Sequence, residues 1–410
     1  MGLPFVPSFV WFVFGSIATW TRLPAFEITR IESPTIEETN HIGFERLSSF
    51  DPLNLTNSLN SFQQHHNLAL FTVCNRLGST ALSYRWRFEY ENGGLIEEKF
   101  TENCAIRWQS PRQGVFVVKL TAKQRHSIVL QTQRTVHFLD FWLVAVGDSF
   151  ASGEGTGEIA ASRPQWLSEK CHRSTKAWPF IVYKRLLELV RDKFAIHFTF
   201  LACTGAAVND GTVSLLDQLD IIDSIRSERG KGPEILMLSV GGNDMKFAEI
   251  LSQLLSGSVI SRVRSQNRLQ FVSKQLDRVA DRLKGLNPSQ VIYPTYWSWA
   301  RNDRGELDGN CDEMHGMTKR GLRSAESYVL KPLNRLIEQK AKLYGWTAVP
   351  EVTDLFVRNG ICAQKPLIRG VAESISVQGD TGGSFHPTSK AHVQIADLIF
   401  SKLKFSEFLS

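Results

Sequence analysis

Residues 141–155 read Phe-Trp-Leu-Val-Ala-Val-Gly-Asp-Ser-Phe-Ala-Ser-Gly-Glu-Gly. The apolar run Phe141 to Val146 stops abruptly at Gly147-Asp148-Ser149. A short apolar run closed by a turn glycine predicts a buried strand entering a tight turn. Ser149 then stands at the carboxyl end of a strand, the edge at which open α/β sheets bind ligands. A serine there becomes a nucleophile when a base reaches it. Gly-Asp-Ser alone is too common to decide the chemistry, so the rest of the chain must supply partners.

Beyond residue 140, strands are expected at 141–147, 196–202, 234–240, 290–294 and 346–350. Amphipathic helices are expected over 179–194, 212–228, 262–285 and 318–344, with a last one over 389–404. In the first helix Tyr183, Leu186, Leu187, Val190 and Phe194 recur at helical spacing, and Pro179 sits in the first turn, where its missing N–H costs nothing. In the last, Ile395, Ala396, Ile399, Phe400 and Leu403 share one face. Repeated strand–helix alternation implies an α/β fold, a parallel sheet covered by helices on both sides, over 140–410.

Residues 61–139 follow another period. Tyr84, Trp86, Phe88 and Tyr90 alternate with Arg85, Arg87 and Glu89, which is the pattern of a half-buried strand. Asn92-Gly93-Gly94 marks a hairpin. Further short runs at 95–100, 105–108, 115–121 and 128–136 predict a small all-β sandwich. Ser110 to Ala122 resembles the late strands of PKD-like or immunoglobulin-like modules, which implies surface or glycan contact, or a spacer, rather than catalysis. Residues 19–60 are polar and unpatterned and read as a linker or arm, with a glycosylation sequon at Asn54-Leu55-Thr56. Leu3 to Trp20 is apolar, and Ser16-Ile17-Ala18 offers a small-x-small cleavage site, so residues 1–18 resemble a signal peptide, although no basic residue precedes the apolar run. An uncleaved N-terminal membrane anchor is the alternative.

With 42% hydrophobic and 21% charged residues, the 410-residue chain has the composition of a globular protein of more than one domain. Its net charge of +6 is spread along the chain without a Lys/Arg block, which argues against a nucleic-acid partner. Cys74, Cys104, Cys171, Cys203, Cys311 and Cys362 form no C-x-x-C pair, and no H-E-x-x-H occurs. No metal or other cofactor is therefore expected. An even cysteine count suits disulfides in a secreted or extracytoplasmic protein. Sequence admits many pairings, of which the sequential one (74–104, 171–203, 311–362) is simplest.

Four loops in the α/β region carry chemistry-bearing residues at strand–helix junctions. They are Gly147-Asp148-Ser149, Ala202-Cys203-Thr204-Gly205-Ala206, Gly241-Gly242-Asn243-Asp244 and Ser384-Phe385-His386-Pro387. In a parallel sheet the first three emerge on one edge. Singly, Gly205 reads as a turn residue, Asn243 as a turn or cap, and His386 as a structural histidine. Jointly and in this order they resemble the SGNH, or GDSL-type, hydrolases, whose blocks contribute Ser, Gly, Asn and His, here Ser149, Gly205, Asn243 and His386. The runs Gly147 to Gly155, Cys171-His-Arg-Ser174, Ala202 to Gly205, Ser239 to Asp244 and His386-Pro387 are closest to a secreted, disulfide-bonded subgroup typified by an actinobacterial esterase.

The resemblance implies a three-layer α/β/α, flavodoxin-like domain and the disulfides 171–203 and 311–362. It implies a Ser149 nucleophile, a His386 base, and an oxyanion site made of the Ser149 and Gly205 N–H groups and the Asn243 amide. One departure stands out: the family's usual acid, three residues before the histidine, is Gly383 here. Either the Gly383 carbonyl orients His386, as the subgroup's pattern allows, or Asp380 does. Asp148 reads as bonding the turn, Asp244 as a helix cap and His172 as structural. The expected function is a secreted serine esterase or lipase acting on carboxylic esters, with no oligomeric state implied. The alternatives are a carbohydrate acetyl esterase with a glycan-docking sandwich and a non-enzymatic binding protein on a hydrolase scaffold. Trp297 and Trp299 could line an acyl channel or a glycan groove, or belong to the core.

Overall fold

The structure is a computed structural model and describes residues 27–30, 68–74, 82–111, 114–157, 159–160, 163–164, 166–190, 194–314 and 316–404. The expected leader, the sequon and most of the arm lie outside these residues. The chain divides into two compact units, one built mainly from residues 70–107 and 116–136 and the other running from His137 onward.

The first unit is all β. Its strands are β1 (Glu27–Arg30), β2 (Leu68–Thr72), β3 (Ser83–Tyr90), β4 (Leu95–Thr101), β5 (Ala105–Gln109), β6 (Gly114–Gln124) and the first part of β7 (Ser127–Gly147). β3 pairs antiparallel with β4 and with β6, placing Trp86 opposite Leu120 and Phe88 opposite Val118. The alternation read from the sequence is the inward face: Trp86 and Phe88 are fully buried, Tyr84 nearly so, and Phe71 of β2 meets the Phe88 ring edge-on at 5.5 Å. β1, β2 and β5 form a second, three-stranded sheet. Strands of this kind are consistent with a small sandwich. β1 lies within the stretch read as a linker or arm; four residues are too short a run for a period to show. Cys74 pairs with Cys104.

β7 also corrects an expected break. The sequence placed strands at 128–136 and 141–147 with a boundary near 139, yet the strand is continuous. Arg134-Thr-Val-His-Phe-Leu-Asp140 holds no Gly or Pro to stop it.

The second unit is α/β. After β7 come α1 (Ser149–Ser152), the two-residue strands β8 (Ile159–Ala160) and β9 (Arg163–Pro164), α2 (Trp178–Val190), β10 (Phe194–Phe200) and α3 (Leu215–Arg229). β11 (Ile235–Ser239), α4 (Phe247–Leu255), α5 (Arg262–Leu286) and β12 (Gln290–Pro294) follow. The chain continues through α6 (Lys319–Ala325), α7 (Lys331–Tyr344), β13 (Thr347–Val349), α8 (Val352–Leu355), α9 (Val371–Gln378) and α10 (Ser389–Ser401). β10, β7, β11, β12 and β13 pair in that order, all parallel. Counted from β7 this is the 2-1-3-4-5 order of flavodoxin-like sheets, whose switch point lies between the first and third strands, here β7 and β11. β11 and the 141–147 part of β7 are buried throughout, which explains their continuous apolar runs.

The helix expected over 318–344 is interrupted. Between α6 and α7, Glu326–Leu330 forms a π turn. Pro332 explains it: a helix-interior proline lacks its N–H and its ring crowds the carbonyl four residues back, and widening the helix relieves both.

Candidate active site

The end of β7 is held from three sides. Gly147 has φ 140°, and a Cβ there would lie 2.0 Å from the Ser239 carbonyl oxygen of β11, so only glycine fits. Gln218 of α3 grips the same peptide, donating Nε2–H to the Gly147 carbonyl at 3.0 Å and accepting the Gly147 N–H at 2.7 Å. The Asp148 N–H donates to Ser239 O at 2.8 Å. Asp148 then caps α1, accepting from Phe150 N–H at 3.1 Å, from the Ser239 hydroxyl at 2.9 Å and from the Tyr296 hydroxyl at 2.5 Å. Burial pushes this carboxyl up to about 7 against the pull of those hydrogen bonds. The reading of Asp148 as the group that bonds the turn holds.

Ser149, buried at the start of α1, places Oγ 2.8 Å from His386 Nε2. The other ring nitrogen, Nδ1, is 3.0 Å from the Ser384 carbonyl oxygen. The orienting group is thus a backbone carbonyl, but one residue beyond the expected Gly383. Gly383 O instead accepts the His386 N–H at 3.1 Å. The reason is Phe385, whose φ of 65° turns the chain so that the imidazole faces back onto Ser384. Asp380 does not reach the ring: its carboxylate accepts from Gly382 N–H at 2.8 Å and from Gln378 Nε2–H at 2.6 Å. Burial lowers His386 below the usual imidazole value, with Glu154 and the Ser384 carbonyl acting in the opposite sense.

Two further loops converge. Cys203 N–H donates to Gly147 O at 2.9 Å, which brings the 203–206 turn beside Ser149. Gly205 faces open space, since a Cβ there would meet nothing within 4 Å. Asn243 donates one amide hydrogen to Ala206 O at 3.0 Å, leaving its second hydrogen uncommitted among the described residues. The disulfide Cys171–Cys203 fastens this turn to the loop preceding α2, and Cys311–Cys362 closes a separate loop. All three pairings follow sequence order. Asp244, read as a helix cap, instead accepts Val208 N–H with both oxygens, at 3.2 and 3.1 Å, and so ties the two loops together. Among the described residues no group of His, Cys, Asp and Glu gathers that could hold a metal ion.

Beside Ser149 opens an apolar pocket with about 670 Å³ of empty space, open solvent at its mouth included. It begins at Phe150 and Gly242, chain neighbours of Ser149 and Asn243, and runs between α4 and the α6–π–α7 segment. Trp297 and Trp299 both line it; Trp297 is 5% exposed and stacks on Phe356 at 4.5 Å, so it serves as core and as wall. The sequence did not single out Tyr296, whose hydroxyl accepts the Gly242 N–H at 3.1 Å while donating to Asp148. Nor did it single out Glu154, although that residue lies in the opening stretch; burial is what sets it apart, and burial has no local sign.

The GDSL-like lipase/acylhydrolase family model matches residues 143–399. A search of curated proteins finds no match. Among solved structures, an extracellular lipase from Streptomyces rimosus is 23% identical, covering 64% of this chain and 100% of its own at a TM-score of 0.49. A phospholipase A1 from Streptomyces albidoflavus is 22% identical over 64% of this chain and 100% of its own, TM-score 0.47. An acetylxylan esterase from Geobacillus stearothermophilus is 15% identical over 64% and 94%, TM-score 0.33.

Proposed function

The chain belongs to the GDSL-like lipase/acylhydrolase family and is a carboxylic ester hydrolase; from that premise we propose that it cleaves esters of medium to long apolar acyl chains, with Ser149 as nucleophile and His386 as base. Ser149 Oγ attacks the ester carbonyl carbon while its proton passes to His386 Nε2. The oxygen of the tetrahedral intermediate takes hydrogen bonds from the Ser149 and Gly205 N–H groups and from the free hydrogen of the Asn243 amide. Collapse breaks the bond to the alcohol, which leaves with the proton from His386. Water, deprotonated by the same imidazole, then attacks the acyl-serine, releasing the acid and restoring Ser149. The Ser384 carbonyl fixes the tautomer that leaves Nε2 free to accept.

The observation that carries the substrate class is the apolar pocket entered at Phe150 and Gly242. Its wall is almost wholly apolar, so an alkyl chain entering it gains about 0.8 kcal/mol for each methylene buried. Three disulfides fit an oxidising compartment, and extracytoplasmic action belongs to the proposal. No helix among the described residues is long and apolar enough to cross a membrane.

The test is hydrolysis of p-nitrophenyl esters from acetate to palmitate by the full chain, beside Ser149→Ala. The expected profile rises by up to roughly fourfold in kcat/KM per methylene until the pocket is full, and vanishes in the variant. Preference for acetate would favour an acetyl esterase. No turnover by folded protein would favour a binding role, and activity surviving Ser149→Ala would place the nucleophile elsewhere.

A further inference from the structure

The histidine's orienting group is an uncharged carbonyl, and among the described residues no carboxylate hydrogen-bonds to the imidazole that must become positive during acyl transfer. A buried carboxylate nevertheless stands one loop away. Glu154, 2% exposed, lies just past α1. Its Oε2 accepts from His172 Nδ1 at 2.7 Å and its Oε1 from Gln378 Nε2–H at 2.7 Å. Gln378 is a clasp: the same amide nitrogen donates to Asp380 at 2.6 Å, and its Oε1 accepts Gly155 N–H at 3.0 Å. Asp380 in turn holds Gly382 N–H, at the root of the loop that carries Ser384 and His386.

The two loops are in close contact. A Cβ added to Gly155 would lie 3.2 Å from His386 Cβ, and one added to Gly382 would lie 3.1 Å from Glu154 Oε1. A Cβ at Gly383 would collide with Gln378 Oε1 at 2.6 Å and with Gly155 Cα at 2.8 Å, so glycine at the position of the missing acid is what lets the clasp close. On the outer side Trp166 stacks on His172 at 4.6 Å with the rings 5° from parallel.

We propose that Glu154 is a positioning residue for His386: through Gln378 it fixes the loop that carries the imidazole, and its buried negative charge stabilises the imidazolium formed during turnover. The inference rests on the Ser149–His386 reading above. Burial pushes Glu154 upward, but the His172 hydrogen bond and the His386 and His172 charges outweigh it and bring the carboxyl to about 2, so it is ionised throughout the working range. His172 is raised by its bond to Glu154, and its charge acts on His386 in the sense opposite to that of Glu154. Among the described residues, the other charged or titratable groups near His386 include Arg369, whose N–H donates to the His386 carbonyl at 2.8 Å, whose Nε donates to Gly155 O at 2.5 Å and whose guanidinium pairs with Glu373, and His392 of α10, which burial lowers to about 3.

The test measures kcat, KM and the acid limb of kcat/KM on a p-nitrophenyl ester, using the full chain. Glu154→Gln should lower kcat about tenfold with KM nearly unchanged and move the acid limb down by on the order of one pH unit, the scale of a nearby charge in a medium of ε about 20. Glu154→Asp keeps the charge and should keep the limb within about 0.3 unit, whatever its kcat. An unmoved limb in Glu154→Gln, or an equal movement in Glu154→Asp, overturns the electrostatic role. Should Glu154→Gln fail to fold, Gln378→Met decides: it severs the clasp and should lower kcat severalfold, and wild-type kcat there overturns the proposal. Failure of the underlying reading looks different, as ester hydrolysis indifferent to Ser149→Ala.

Discussion

Asp148 links the stability of the α/β unit to pH, and Asp148→Asn isolates the effect. The carboxyl is fully buried, and burial pushes it up to about 7 in the folded protein, against about 3.9 for an ordinary aspartate. An acid whose folded value is raised is protonated in the folded state while already ionised in the unfolded one. Stability is therefore unaffected below about 4, falls as pH rises from about 4 to 7, and is level above. At about 1.4 kcal/mol per unit, the gap corresponds to on the order of 4 kcal/mol. Asparagine keeps the size and the Phe150 and Ser239 hydrogen bonds but does not titrate. Its changed bond to Tyr296 adds an offset that does not vary over this range. The readout is the melting temperature of the α/β unit in wild type and variant at pH 4 and pH 8. At roughly 2 °C per kcal/mol for a unit of this size, the variant should gain about 8 °C relative to wild type between the two conditions. Parallel curves, or a relative loss at pH 8, would refute the reasoning and mean that Asp148 is already ionised in the fold.

Asn243→Ala should lower kcat on a p-nitrophenyl ester by about 10²–10³ with little change in KM, because the amide acts on charge that develops only in the transition state. Ala325 lies in the pocket wall at the end of α6, so Ala325→Phe should cut kcat/KM for long-chain esters at least tenfold while leaving acetate within about twofold; equal losses for all chain lengths would mean the acyl chain lies elsewhere.

The α/β order was legible because each strand is an apolar run and each helix carries a 3.6-residue stripe, and because parallel neighbours fix handedness. The four loops stood out through their place at strand–helix junctions and their joint resemblance to the SGNH pattern. What escaped depends on contacts distant in sequence or on single dihedrals. Phe385 in a left-handed conformation shifts the orienting carbonyl from Gly383 to Ser384, and nothing in a phenylalanine announces that φ. Asp244 precedes a helix and so resembles a cap, but its partner is Val208, 36 residues earlier. Glu154 and Gln378 are 224 residues apart and become a pair only once α9 is laid beside α1. Pro332 was a visible warning within a helical stripe, and it marks where the helix widens.

That π turn gives the pocket a particular kind of evolvability. A π turn is an α-helix carrying one surplus residue, and one residue corresponds to about 100° of helical rotation. Deleting a single position between Glu326 and Leu330 would return the segment to α-helical register, at the cost of crowding Pro332 again, and swing the side chains on one side of the turn by nearly a third of a revolution. Leu322 and Ala325 stand before it, Leu333 after it, and all three face the same space. A one-codon deletion could thus exchange the residues that line the pocket while Ser149, Asn243 and His386 stay on their own loops, so that its depth could change in discrete steps.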